Sequence, residues 1–319
     1  MLSRVADTLY WMSRYLERAE HTARLVDVNL NLMLDQSPES AVPRWDRVLT
    51  SLRAKIPGVD LESDPYAIAR TLMFDPTNPS SVVACIGVAR ENARQARELI
   101  SSDMWEHLNR MYLDARTAGA DGFFQAQPAD FLRGVRLSAH TFQGLTESTI
   151  AHDESWRFIE LGRYIERAGA VATLLDAYFN TLDEAEAAPG GDHLEWIGLL
   201  KGCTAFEAYC KVYTADLHPD RIAEFLLLSG DFPHSVRFAV ERVQGALQAI
   251  AAQAVRRNAG RLDRLAGRLR SALSFGQIDE ILVSGLHAYL EEIRRQCALI
   301  HKAIHDFYIA YSVESALGA

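Results

Sequence analysis

The sequence predicts an all-α protein, a multi-helix bundle built from two duplicated helical halves with approximate two-fold symmetry. Three observations carry that prediction. Apolar residues recur at helical spacing along nearly the whole chain, and no stretch sustains the every-other-residue alternation of a strand. The pentapeptide RYLER at 14–18 returns as RYIER at 163–167. Further matches then follow in chain order: Trp45 and Leu49 with Trp196 and Leu200, and IARTLMFDPTNPSSV (68–82) with IAEFLLLSGDFPHSV (222–236). The offset between partners grows slowly, as small loop insertions would make it; chance matches would scatter. The predicted halves are 1–152 and 153–319, together forming one compact domain.

Residues 3–34 form the first helix, stopped by the polar, proline-bearing DQSPES. A second starts near Pro43 and ends before Pro57. After Pro79, leading serines and later mixed charge mark the N-terminus of another. Residues 103–117 and 129–150 supply two more, and Ser155 opens a long one that runs to the acidic, flexible DEAEAAPGGD at 183–192. Helices are then predicted over 193–215, 219–229, 234–256, 258–274 and 277–315. In the last, Leu286, Leu290, Ile293, Cys297, Ile300, Ile304 and Phe307 alternate three and four apart, the stripe of a long packed helix.

Bulk composition bounds the function. With 319 residues, 49% of them hydrophobic and 24% charged, the chain can bury a sizeable core and suits a soluble protein. A net charge of −9 removes general attraction to a phosphate backbone, so no nucleic-acid partner is expected. No apolar run approaches the roughly 18 residues that span a bilayer, so no membrane partner is expected either. The first 20 residues lack the apolar core and cleavage site of a secretory signal. Cys85, Cys203, Cys210 and Cys297 form no CxxC pair, a pattern that suits a reduced cytoplasm and neither a disulfide framework nor a zinc site. His301, His305 and Cys297 have metal-like spacing, but there is no HExxH and no second ligand pair. Neither a metal nor a cofactor is expected.

The repeated motif is where charge meets a buried surface. On a helical wheel Arg14, Glu17 and His21 cluster, with Arg18 between them and an apolar face made by Trp11, Tyr15, Ala19 and Val26. Arg14 and Glu17, three apart, can meet on the helix surface. In the second copy Trp156, Ile159, Ala170 and Leu174 surround Arg163, Glu166 and Arg167, which places that trio inside the protein. Gly162 and Gly169 leave a thin stripe where another helix can come close. Arg18 and Arg167 are therefore expected to be mostly buried, with Glu17 and Glu166 as their leading partners. Four arginines against two glutamates leave an excess of positive charge. Asp27, Asp176 and Glu20 are candidates to neutralise it; an anionic ligand is the alternative, since guanidinium forks suit carboxylates and phosphates. The trios are thus either a structural network that docks the halves or an anion or peptide-carboxylate site.

RYLERAEHTARL, FDPTNPSSVVACIGVARENARQARELISSDMWEHLN, SWRFIELGRYIERA and EFLLLSGDFPHSVRF, taken together and in order, resemble the bacterial alpha-E family of helical proteins with a Glu-Arg motif. The resemblance runs over most of the chain and falls on Arg14, Glu17, Arg18, Asn78, Pro79, Ser80 and Ser81, then on Arg90, Glu91, Asn92, Arg163, Glu166 and Arg167. It implies the company of a circularly permuted ATP-grasp amide ligase, and a role as an accessory, substrate-presenting or scaffold component of an amide- or peptide-bond-forming pathway. A peptide or anionic small molecule is the implied ligand. The alternative is an enzyme that acts on a carboxylate or phosphate substrate, with Glu17 or Glu166 as acid/base. One departure stands out: RAEHTARLVD becomes RAGAVATLLD in the second copy, losing the equivalents of Glu20, His21 and Arg24, which weakens any symmetric two-site arrangement.

Other charged motifs have simpler readings. Asn78, Ser80 and Ser81 could offer helix N–H groups to an anion, but Asn-Pro-Ser more often caps a helix. Arg90 and Asn92 lie in ARENARQARE, whose mixed charge suits a solvated face. RRNAGRLDRLAGRLR (256–270) could dock an acidic partner, but suits an exposed face over Leu262, Leu265 and Leu269. No Ser-His-Asp set and no glycine-rich phosphate loop occurs, so no catalytic residue is assigned.

Overall fold

A computed structural model describes residues 3–34, 41–56, 66–120, 128–182, 192–214, 216–253 and 259–309; nearly all of DEAEAAPGGD lies outside them. Among the described residues there are fourteen α-helices and no strand: α1 Ser3–Leu34, α2 Ala41–Leu52, α3 Ala67–Phe74, α4 Val82–Gln95, α5 Ser102–Ala120, α6 Pro128–Thr149, α7 Glu154–Leu182, α8 Asp192–Gly202, α9 Phe206–Tyr213, α10 Pro219–Leu228, α11 Val236–Gln253, α12 Ala259–Phe275, α13 Ile278–Ser284 and α14 Leu286–Ile304. A π-helical turn, His305–Ile309, follows. Among these helices none is long and apolar enough to cross a membrane.

Local chemistry sets the boundaries. Ser81 caps α4 by accepting from the Ala84 N–H, and Ser235 caps α11 by accepting from Phe238. Asp153 does the same for α7 through Ser155 and Trp156 N–H groups. Each cap satisfies donors that a helix start leaves orphaned. The chain ends α2 with Arg53 at φ 51° and α8 with Thr204 at φ 51°. Both close the same turn: Arg53 N–H donates to Thr50 and Ala54 N–H to Leu49, while Thr204 donates to Lys201 and Ala205 to Leu200.

Two helices predicted as continuous are broken. The 193–215 span divides at Thr204, where the left-handed backbone turns the chain, and the 277–315 span divides at Gly285, φ 101°. A short helix, α3, also stands where a repeat anchor, and no helix, is predicted.

The long helices α1 and α7 lie side by side at the centre and run the same way, since Tyr10 meets Gly162 while Glu17 meets Arg167. A side chain at Gly162 would put its Cβ 2.2 Å from the Tyr10 carbonyl oxygen, so this glycine permits the approach. Gly169 departs from expectation: nothing lies within 4 Å of its would-be Cβ. Helix α1 also packs on α4 and α6, and α7 on α11 and α14. Apolar side chains from these helices, from Leu9 and Val26 to Leu161, Leu175, Val240 and Ile300, form one continuous core.

Candidate functional site

The two RYxER motifs exchange their ion pairs. Arg167 places Nε 2.6 Å and Nη2 3.0 Å from the two oxygens of Glu17, a fork from α7 onto α1. In return Glu166 accepts from Arg14 Nε and Arg18 Nε, each at 2.7 Å, a reach from α1 onto α7. Arg14 therefore does not pair with Glu17 on its own helix. The wheel shows which charges share a face; it does not show that a neighbouring helix comes closer than the next turn.

The two exchanges differ in exposure. The Glu17 and Arg167 side chains retain 2% and 6% of their accessible surface. Glu166 retains 12% and Arg18 28%, so Arg18 is only partly buried. Burial opposes ionisation of both carboxyls, but the charge and hydrogen bonds of Arg167 hold Glu17 below its ordinary range, and Arg14 and Arg18 do the same for Glu166. Both are thus poor proton acceptors near neutrality, which weighs against either as a general base.

None of the proposed neutralisers pairs with the trios. Asp27 pairs with Arg136 at 3.0 Å, Asp176 with Arg294 at 2.8 Å and His287 at 2.6 Å, and Glu20 with Arg24. Arg163 reaches Glu147 at 3.5 Å.

A cleft of about 360 Å³ opens over the more exposed exchange. Arg14, Arg18, His21 and Glu166 line one end together with His301, whose Nδ1 lies 3.0 Å from Arg14 and 2.8 Å from the Tyr10 hydroxyl. Arg53, Thr173 and Arg294 line the rest, with the hydroxyls of Thr22, Ser51 and Ser80. The floor is made by Gly169, Ala170 and Thr173, the residues that stand where the first copy has Glu20, His21 and Arg24. Those larger side chains of α1 are themselves buried and tied together: Arg24 donates to Glu20 and to the Gly202 carbonyl, and its Nη2 lies 3.3 Å from His21 Nδ1. A guanidinium only donates, so His21 Nδ1 is the acceptor and Nε2 carries the proton. Burial and Arg24 push the His21 pKa down to about 3, so the ring is neutral. Burial and Arg14 likewise lower His301 to about 4, and burial raises the Cys297 thiol in the cleft wall to about 12. Among the described residues the cleft therefore offers fixed positive charge and hydroxyls, and its two imidazoles and its thiol are not poised as base or nucleophile at neutral pH.

The structure brings together Arg14, Arg18, His21, Glu166 and Ser80 at the cleft, with Glu17 and Arg167 sealed behind. Asn78 and Ser81 serve the turn before α4: Asn78 accepts from the Ser80 N–H and Ser81 caps the helix. Arg90 donates to Asn109 and lies over Trp105 and Tyr112, and Asn92 donates to the Val88 carbonyl; neither lines the cleft. Sequence reasoning missed Arg53 and Arg294, which belong to no motif, and Thr173, which it met only as the place where Arg24 is lost. It also missed Glu195, held by Arg44 at 2.6 Å and by Arg47, although Trp45 and Trp196 beside them were matched anchors. Among the described residues no group of three or more His, Cys, Asp or Glu could hold a metal ion, and all four cysteines are free thiols.

A family model described as a predicted alpha-helical domain with a conserved ER motif matches residues 1–309. Among curated proteins, the uncharacterized protein Mb2597 of Mycobacterium bovis and the uncharacterized proteins MT2643 and Rv2567 of Mycobacterium tuberculosis are each 25% identical to this chain over 333 aligned positions. The alignments cover 95% of this chain and 36% of each relative, so the chain spans about a third of the length of the curated relatives it matches. No solved structure matches.

Proposed function

The chain belongs to the Alpha-E family, defined by the ER motif whose two copies face each other here, and from that premise we propose that it is a ligand-binding, substrate-presenting component and not itself a catalyst. One observation carries the reading: the cleft over Glu166 is lined by more guanidinium than carboxylate. Such a surface attracts a carboxylate or phosphate group, and its partial exposure lets a ligand enter. A carboxylate is what an amide-forming ligase must be given, which accords with the circularly permuted ATP-grasp partner implied by the family resemblance. The protein would hold the anionic end of a peptide or small molecule while that ligase forms the bond. The test is to co-purify the chain with such a ligase and analyse products with the native chain, without it, and with Arg18→Met. Loss of product without the chain and with the variant supports the reading. Undiminished product in all three reactions overturns it.

We propose also that residues 1–152 and 153–319 arose from one duplicated unit. The support is matched local chemistry at matched positions: the caps at Ser81 and Ser235, the turns at Arg53 and Thr204, and the carboxylates Asp27 and Asp176, each of which accepts from an Asn four residues on and from an Arg. Superposing the halves with Arg14 on Arg163 and Pro79 on Pro233 tests it; failure to overlay both anchors together would sink it.

A further inference from the structure

We infer that the cleft takes an elongated organic dianion with a carboxylate at each end. The inference rests on the anion-binding reading above and adds the number and spacing of the charges.

The number comes from comparing the two sides of the α1–α7 contact. On the other side each arginine of the trio's surroundings has a carboxylate of its own: Arg167 with Glu17 and Arg24 with Glu20, both sealed, and Arg163 with the exposed Glu147. On the cleft side Arg14 and Arg18 share the single carboxylate of Glu166, and among the described residues Arg53 meets no carboxylate, its Nη2 lying 3.4 Å from the Thr173 hydroxyl. Arg294 and Arg136 cancel from the comparison, because Asp176 and Asp27 answer them. Among the described residues the cleft side thus lacks two negative charges that the other side supplies from its own side chains. Both terminal nitrogens of Arg18 are without a hydrogen-bond partner among the described residues, so the fork that would receive a carboxylate is available.

The spacing comes from the helices beneath. Arg18 stands at Glu166 and Arg53 at Thr173. Those positions on α7 are two turns apart, about 10 Å along the axis. Helix α14 repeats the span: His301 lies by Arg14 at one end, and Arg294 by Asp176 at the other. A compact dianion such as phosphate can engage one centre at a time; a diacid of suitable length engages both. Between these levels α7 contributes Ala170 and α14 contributes Ala298 to the lining, which suits a short methylene or peptide-like spacer.

The experiment is calorimetric titration of the whole chain at constant ionic strength with glutarate, adipate, pimelate and suberate, and with hexanoate and inorganic phosphate as controls. At least one diacid should bind at least about tenfold more tightly than hexanoate, the gain expected of one added charge-assisted pair. Arg18→Met and Arg53→Met, both at partly or fully exposed side chains, should each reduce that diacid to the affinity of hexanoate. Hexanoate or phosphate binding as tightly as every diacid, with binding still lost in Arg18→Met, would overturn the two-ended dianion and leave the anion-binding reading standing. If none of the probes binds, both fall together.

Discussion

Glu17 and Glu166 hold matching places in RYLER and RYIER, yet their surroundings give them unequal weight. Glu17 and Arg167 are sealed, so Glu17→Gln leaves a guanidinium in the core without its counter-charge and should cost about 3–5 kcal/mol. Glu166→Gln should cost less, about 1–3 kcal/mol, because Arg18 already reaches the cleft and can be hydrated there. Urea denaturation of both variants at neutral pH checks the order; equal losses would contradict the difference in exposure. His21 adds a pH dependence. Its folded pKa, about 3, lies below the unfolded value near 6.5, so the unfolded chain binds more protons throughout that window. Stability should therefore fall as pH drops from about 6.5 toward 3, by up to about 1.4 kcal/mol per pH unit from this ring. His234, also buried and held neutral, acts in the same direction. His21→Gln should flatten the slope in a pH series of urea midpoints. The lowered carboxyls of Glu17 and Glu166 stabilise above the unfolded carboxylate range, and that contribution is lost as pH falls through their folded values. Much of this site was legible, since repetition alone marked Arg14, Glu17, Arg18 and their counterparts. The cross-pairing was not, because sequence spacing reports neighbours on one helix and says nothing of which helix lies opposite. Arg53 and Arg294 were invisible for the same reason: only the fold carries them to the cleft.

Two glycines on α7, seven residues apart, separate contact from opening. At Gly162 a methyl group would collide with the Tyr10 backbone, which cannot withdraw without moving α1, so Gly162→Ala should destabilise by about 3 kcal/mol. At Gly169 the methyl meets nothing, and the substitution should be neutral or gain up to about 1 kcal/mol of helix propensity while narrowing the cleft. Thermal denaturation of the pair reads both effects, and similar melting temperatures would refute the packing assignment. At the end of α2, Arg53 holds a left-handed backbone that glycine adopts without strain. Arg53→Gly should hold stability or raise it by about 0.5–1 kcal/mol while weakening anion binding, measured by melting and titration of the same sample. The helices themselves were largely legible because apolar periodicity and the serine and proline signals at their starts are local. The breaks at Thr204 and Gly285 were not. Threonine is an uncommon residue for a left-handed helix end, and a single glycine is often accommodated inside a helical pattern. The eight residues of α3 are too few to establish a period.

At the scale of the molecule, a set of buried or half-buried charged contacts joins residues before 152 to residues after 153: Arg14 and Arg18 to Glu166, Arg167 to Glu17, Arg44 and Arg47 to Glu195. Residues 1–152 and 153–319 expressed separately should each fail to fold cooperatively, having buried charge without a partner. Co-expressed, they should co-purify with the circular dichroism of the intact chain; two independently folded halves would refute this. The same reciprocity has an evolutionary consequence under the proposed duplication. A single ancestral unit whose Glu meets the Arg of its twin is a homodimer by construction, and in a homodimer every substitution is made twice. Such a dimer could be filled at both matching spaces or open at both, never one of each. Joining the copies in one gene would lift that constraint, so that Glu20 and Arg24 could occupy one space while Gly169, Ala170 and Thr173 leave the other open. One subunit could specialise in holding the pair together, leaving its twin free to receive a guest.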